Sequence, residues 1–201
     1  MSSSPSPLKI TKTPVDGCYE IVGKRHTDPR GYFEETFNYK DFLSEQMEWA
    51  YLQDNCSVSN QNVLRGLHIQ TRHPQGKLVR CLYGAIFDVC VDLRPTSPTF
   101  LKHHAVVLSD TEPKSMWCPP GTAHGFLALS HEAMLYYKCS TVYDPSSDGG
   151  VLWCDEDLGI KWPIETPILS VKDANLPRVR DFMDLSAYNR IHHGSNIRQL
   201  R

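Results

Sequence analysis

The sequence predicts a mainly β domain, an antiparallel sandwich, barrel or jelly roll with a few short helices. Three observations lead there. Apolar stretches of five to nine residues recur through the middle of the chain, and Gly/Pro/Asp clusters separate them. Helical periodicity is confined to one short segment. The chain of 201 residues, 40% hydrophobic and 22% charged, has the length and balance of one ordinary globular domain with a real core.

Taken in order, residues 1–7 are rich in Ser and Pro and read as a disordered tail. They have neither a basic n-region nor an apolar run, so they are not read as a signal peptide. Asn38 caps a short predicted helix, with Asp41 at its third position and Tyr39, Phe42, Leu43, Gln46 and Met47 at helical spacing. The strands follow at Lys77–Tyr83, Ala85–Leu93, His104–Leu108, Gly125–Ser130 and Ala133–Thr141. Turn clusters such as Arg94-Pro-Thr-Ser-Pro, Pro119-Pro-Gly and Asp144-Pro-Ser-Ser-Asp-Gly-Gly bound them. Residues 186–201 carry Arg190, His192, His193, Arg198 and Arg201 without an acidic residue and read as a loosely held tail. One domain over 8–185 is the expected organisation.

Charge and cysteine content narrow the function classes. Lys+Arg is 21 and Asp+Glu 23, a net charge of -2, which gives no footprint for nucleic acid. No apolar run is long enough for a membrane span. Seven cysteines without a CxxC fit free thiols in a reducing, cytoplasmic compartment better than a disulfide framework.

Strand parity then places polar residues where a plain core would avoid them. Asp88 and Asp92 share a face with Ile86 and Cys90, and Tyr137 shares one with Leu135 and Cys139, opposite Lys138. His68 shares a face with Gly66 and Gln70, and Arg65 joins that face only if Gly66 makes a bulge. Inward His, Lys, Asp and Tyr together would make a polar pocket. Each alone has a blander reading: a bonded strand histidine, an amphipathic core tyrosine, a solvated lysine at 77, a capping aspartate at 173. Metal ligation is not expected. His68-Ile-Gln70 is one histidine short of HxH, His103 and His104 point to opposite faces, and only His124 sits at a comparable strand entry.

Seven motifs occur in order: Asp28-Pro-Arg-Gly-Tyr-Phe-Glu-Glu, Gln53-Asp-Asn, Val63-Leu-Arg-Gly-Leu-His, Gln75-Gly-Lys-Leu-Val-Arg, Phe87-Asp-Val-Cys-Val-Asp-Leu-Arg, Pro119-Pro-Gly-Thr-Ala-His-Gly-Phe and Pro167-Ile-Leu-Ser-Val-Lys-Asp. Across roughly residues 10–177 they resemble the dTDP-4-dehydrorhamnose 3,5-epimerases. The resemblance implies a cupin-type jelly roll, a homodimer, no metal and no cofactor. It implies conversion of a dTDP-4-keto-6-deoxyhexose, dTDP-4-dehydro-6-deoxy-D-glucose, to dTDP-4-dehydro-L-rhamnose. Carried over residue by residue, it implies His68 as base, Tyr137 as acid, Asp173 as the partner of His68 and Lys77 beside the enolate. Asp88 is a supporting residue behind them. It further implies substrate contacts at Arg30, Glu35, Gln53, Asp54, Asn55, Arg65, His124, Asp148 and Lys172, with Tyr143 stacking on the base. The family usually has HYQ where this chain has His68-Ile69-Gln70, so an aromatic ring beside the base is expected to be missing. The alternatives are an enzyme that inverts C3 alone, a non-catalytic cupin that binds a sugar nucleotide, and a metal-dependent cupin oxygenase.

Overall fold

The computed structural model describes residues 8–44 and 50–184. The expected tails at 1–7 and 186–201, and Gln46 and Met47 of the expected helix, lie outside them. In chain order the elements are β1 (Lys9–Lys12), β2 (Tyr19–Val22), β3 (Arg25–Asp28), β4 (Gly31–Glu34), α1 (Tyr39–Ser44), β5 (Gln53–Asn60), β6 (Leu64–Gln70) and β7 (Lys77–Tyr83). Then come β8 (Ala85–Asp92), β9 (His103–Ser109), β10 (Lys114–Cys118), β11 (Thr122–Ala128), β12 (Glu132–Cys139), β13 (Asp148–Gly150), α2 (Val171–Ala174) and α3 (Val179–Asp184). The strands form a six-stranded sheet in the order β1-β2-β10-β7-β12-β5 and a five-stranded sheet in the order β13-β6-β11-β8-β9. A separate hairpin, β3-β4, joins neither.

The two sheets face each other over the central core. Val79, Cys81, Met116 and Leu135 of the larger sheet meet Ile86, Cys90, Leu108 and Phe126 of the smaller. Both outer faces are covered as well. Leu67, Ile69, Val89 and Val91 pack under Val151, Leu158, Val179 and Phe182. Leu78, Ile21 and Trp117 pack under Phe42, with Phe37 and Tyr51 against them. A strand with both faces covered reads as an unbroken apolar run, which is why Ala85–Asp92 shows alternation only in its two aspartates. The expected helix starts at its Asn38 cap, whose Oδ1 accepts from Lys40 N at 3.1 Å. All seven cysteines are free. Among the described residues no helix is long and apolar enough to cross a membrane.

The strand expected at Gly125–Ser130 begins three residues earlier, at Thr122. Gly125 is an interior strand residue, because β6 and β11 touch there. A Cβ on Gly66 would stand 2.6 Å from Gly125 Cα. Gly66 also holds φ at +121°, which disfavours any larger residue. At this contact the register slips: His124 is opposite His68, but Phe126 is opposite Arg65. Two residues of β6 therefore face Gly125 alone, a bulge that re-aims the strand just before His68.

The two inward aspartates of β8 part company. Asp92 is fully buried and anchors the following turn, not a pocket. It accepts from Arg94 Nε at 2.8 Å, Ser97 Oγ at 2.5 Å and Thr99 Oγ1 at 2.6 Å. Burial alone would raise its pKa, but these donors hold the carboxyl below the usual range. Its contribution to stability is then present above the unfolded pKa of about 3.9 and lost as pH falls through the folded value. Asp92→Asn should cost about 3 kcal/mol at pH 7, by urea unfolding, because it breaks a buried charged network. The gap to wild type should narrow as pH falls below about 4.

Candidate active site

One end of the sandwich opens into a cavity of about 240 Å³. The six-stranded sheet supplies Gln53 and Asn55 from β5, Lys77 from β7 and Tyr137 from β12. The five-stranded sheet supplies His68 and Gln70 from β6 and Asp148 from β13. Gln75, Tyr143 and Lys172 complete the wall. On the larger sheet the cavity residues are neighbours by register. Tyr137 lies opposite Asn55, and Cys139, two residues on, lies opposite both Gln53 and Lys77. A second cavity, of about 320 Å³, shares His68 and Lys172 and is lined by Arg65, Ile168, Ser170 and Asp173 among others.

His68 Nε2 stands 2.5 Å from Asp173 Oδ1. A carboxylate only accepts, so Nε2 carries the hydrogen and Nδ1 is the ring nitrogen not engaged by Asp173. Asp173 is 3% exposed. Burial alone would raise its pKa, but the hydrogen bond and charge of His68, with Ser170 and the Gly66 backbone, hold it below the ordinary carboxylate range. It is fixed locally: Ser170 caps α2, with its Oγ accepting from Asp173 N at 3.0 Å. The segment before it is strapped to the start of β6, with Leu64 N donating to Ile168 O at 3.0 Å and Ile168 N to Asn62 O at 2.8 Å.

Burial pushes the Tyr137 phenol up, only partly opposed by Arg65, so it stays protonated through neutral pH. Burial pushes the Lys77 ammonium down, opposed by the Cys139 and Cys118 thiols and by Asp148 and Asp88. At the mouth, Asp148 Oδ2 accepts from Lys172 Nζ at 2.5 Å and Tyr143 OH at 2.8 Å. Burial raises Asp148, but these donors win and hold its carboxyl low.

Of the residues implied by resemblance, His68, Lys77, Tyr137, Asp173, Gln53, Asn55, Tyr143, Asp148 and Lys172 stand at the two cavities. Arg65 reaches the second through the Gly66 bulge, its Nε donating to Ser59 Oγ at 3.0 Å. Five others, Asp54, Arg30, Glu35, His124 and Asp88, line neither cavity. Asp54 lies on the outer face of β5, where its carboxylate accepts from Lys138 Nζ at 2.8 Å and Tyr136 OH at 2.8 Å. Alternation along β5 puts 53 and 55 inside and 54 outside. Arg30 is exposed on the β3-β4 turn, where it is paired with Asp28 at 2.6 Å. Glu35 accepts from Asn38 Nδ2 at 2.9 Å beyond the end of the hairpin. His124 is buried, its Nε2 at 2.7 Å from Asp88 Oδ1. That pair lies beside His68 on the inner face of the sheet, since His124 is its direct cross-strand neighbour.

Ile69 belongs to the outer cluster under Phe182, on the face opposite His68. A different side chain there would not stand beside His68, so the expected loss of an aromatic neighbour does not arise. Gln70 and Gln75 were not among the expected site residues, although Gln70 shares the face of His68 by parity. Among the described residues no three His, Cys, Asp or Glu side chains stand together as a metal site.

Residues 12–181 match the family model described as dTDP-4-dehydrorhamnose 3,5-epimerase. The chain is 47% identical over 177 residues to the dTDP-4-dehydrorhamnose 3,5-epimerase of Methanothermobacter thermautotrophicus, a match that covers 87% of this chain and 96% of that one. It is similar to the Legionella pneumophila dTDP-6-deoxy-D-glucose-3,5-epimerase solved in complex with dTDP-4-keto-L-rhamnose, with a TM-score of 0.85 and 40% identity over 90% of this chain and 96% of that one. It is also similar, at TM-score 0.80 and 31% identity over 88% of this chain and 93% of that one, to a 3'-monoepimerase from Streptomyces bikiniensis in complex with dTDP-quinovose. The jelly-roll layers and the extent of the match agree, and the chain belongs to the dTDP-4-dehydrorhamnose 3,5-epimerase family.

Proposed function

We propose that the enzyme inverts C3 and C5 of dTDP-4-dehydro-6-deoxy-D-glucose, with His68 as the base and Tyr137 as the acid. The observation that carries this reading is their placement. His68 comes from the five-stranded sheet and Tyr137 and Lys77 from the six-stranded sheet, and all three line one cavity. A hexose ring between the sheets meets a proton acceptor on one face and a donor on the other.

The C4 ketone makes the hydrogens on C3 and C5 acidic, and in the D-gluco chair both are axial on the same face. One base therefore serves both carbons. His68 Nδ1 takes the proton, and Asp173, already charged, stabilises the imidazolium and fixes its tautomer. The enolate charge gathers on the C4 oxygen, where Lys77 faces it in a desolvated pocket. Tyr137 then delivers its proton from the opposite face and is reprotonated from water. Lys172 and Arg65 bind the diphosphate region, Asp148 orients Lys172 and Tyr143, Gln53 and Asn55 shape that wall, and Tyr143 offers its ring to the nucleobase. Asp88 supports the site through His124. Seven free thiols favour a reducing, cytoplasmic setting.

We further propose a homodimer. The β3-β4 hairpin joins neither sheet and presents Tyr32 at 54% and Phe33 at 72% exposure. Arg30 lies at its turn and Glu35 at its end. A second copy seated on the hairpin covers those rings and gives Arg30 and Glu35 a site across the interface.

The reaction in deuterated water, followed by NMR, should place deuterium at both C3 and C5 of the product. Deuterium at C3 alone would instead give the 3'-monoepimerase outcome, and His68→Ala should incorporate none at either carbon. Tyr137→Phe keeps the ring and removes the donor. It should exchange deuterium at C3 faster than it forms the L-configured product, since the imidazolium can still return a solvent-derived proton to the original face. Epimerisation at the wild-type rate would remove Tyr137 from the role. Phe33→Asp should shift the protein from dimer to monomer by light scattering and raise KM at least about fivefold, the loss of one or two polar contacts to substrate.

A further inference from the structure

Tyr143 belongs to none of the three apolar clusters, and half of it is exposed. Packing therefore does not aim its ring. Hydrogen bonds do, and two carboxamides from the cavity wall supply them at the backbone. Gln53 Oε1 accepts from Tyr143 N at 2.7 Å. Gln70 takes the flanking groups: its Oε1 accepts from Asp144 N at 2.8 Å, and its Nε2 donates to Val142 O at 3.4 Å and to His73 O at 2.9 Å. Both ends of Gln70 are thus spent inside the chain, and the side chain is only 5% exposed.

We infer that Gln70 is a positioning residue that holds Tyr143 in place as the nucleobase platform. The inference rests on the proposed role of Tyr143. The backbone around residue 143 offers a carbonyl on one side and an N–H on the other. Only a carboxamide presents an acceptor and two donors from one uncharged group, so neither a carboxylate nor an aliphatic chain can satisfy the set. Gln70 also sits two residues from His68 on the same strand face and directly opposite Asp148, which accepts from the Tyr143 hydroxyl. One short stretch of β6 therefore carries the base at residue 68 and fixes the platform from residue 70. The distance between deprotonation and nucleobase recognition is set within that stretch.

The test measures dTDP and inorganic pyrophosphate binding by calorimetry in wild type, Gln70→Met, Tyr143→Ala and the double variant, with turnover alongside. Gln70→Met keeps length and volume and removes the hydrogen bonds. It should weaken dTDP about tenfold and raise KM about as much, with kcat and pyrophosphate affinity kept within about twofold. In the Tyr143→Ala background it should cost nothing further. Gln70→Asn keeps the amide but cannot span the gap. It should show the same pattern, and it carries the test should the methionine variant fail to fold. If Tyr143→Ala leaves dTDP binding intact, the platform reading itself is wrong. If Tyr143→Ala weakens dTDP and neither Gln70 variant does, the inference is overturned. Additive losses in the double variant, or an equal loss of pyrophosphate, would also overturn it.

Discussion

The hydrogen bond between His68 and Asp173 joins residues 105 positions apart, and much of the surrounding architecture serves to close it. His68 lies mid-strand in β6, so its inward aim depends on the bulge at Gly66, where β6 and β11 approach too closely for any side chain. Asp173 lies on a four-residue helix, too short to be stable by itself. What holds it is the Ser170 cap and the pair of backbone hydrogen bonds that tie Ile168 to the beginning of β6. The same strand that carries His68 thus anchors the segment that carries Asp173. A carboxylate at 3% exposure is costly unless paired, so the arrangement and the pairing stabilise each other.

The cavity treats its titratable groups unequally, and the differences suit the proposed roles. Burial raises Tyr137 and lowers Lys77, so each is biased toward its neutral form. Asp173 moves the other way because donors surround it. The pocket therefore holds two firm negative charges, Asp148 at the mouth beside Lys172 and Asp173 beside the ring of His68. A lysine whose charge is poorly solvated gains more from an enolate than a surface lysine would, because the developing anion replaces the water it lacks. That gain exists only once the proton has left carbon.

Much of this was legible in the sequence, and the misses have physical causes. The stretches at 77–83, 85–93 and 133–141 were long enough for pattern to identify them, and strand parity placed His68 and Tyr137 on inward faces. β1, β2, β3, β4 and β13 have three or four residues each, too few for periodicity to register, and they are strands only because a neighbour pairs with them. β5 was unread for another reason. Gln-Asp-Asn-Cys-Ser-Val-Ser-Asn has little apolar character, since its inward side faces a polar cavity. Asp54 shows the limit of carrying over a motif as a block: strict alternation sends it outward between two inward neighbours. Asp173 showed locally only as a capping residue, whereas Ser170 is the cap and the partner of Asp173 is supplied by tertiary closure. Asp92 looked like a pocket residue and is a turn anchor, because parity gives the face of a side chain but not its depth along the sandwich.

Why this fold suits the reaction follows from the layer geometry. Inversion at carbon requires that a proton leave one face and return to the other. A sandwich open at one end holds a flat ring between two sheets, each of which contributes side chains at alternate positions. The acid and the base can then sit on separate rigid supports whose spacing is fixed by the shared core of Val79, Leu135, Ile86 and Cys90 beneath them. A site built on one helix or one loop would place both groups on the same side of the ring and could exchange protons without inverting the carbon. On the proposed roles, the distinction between exchange and inversion depends on which sheet each residue belongs to, and His68 and Tyr137 belong to different ones.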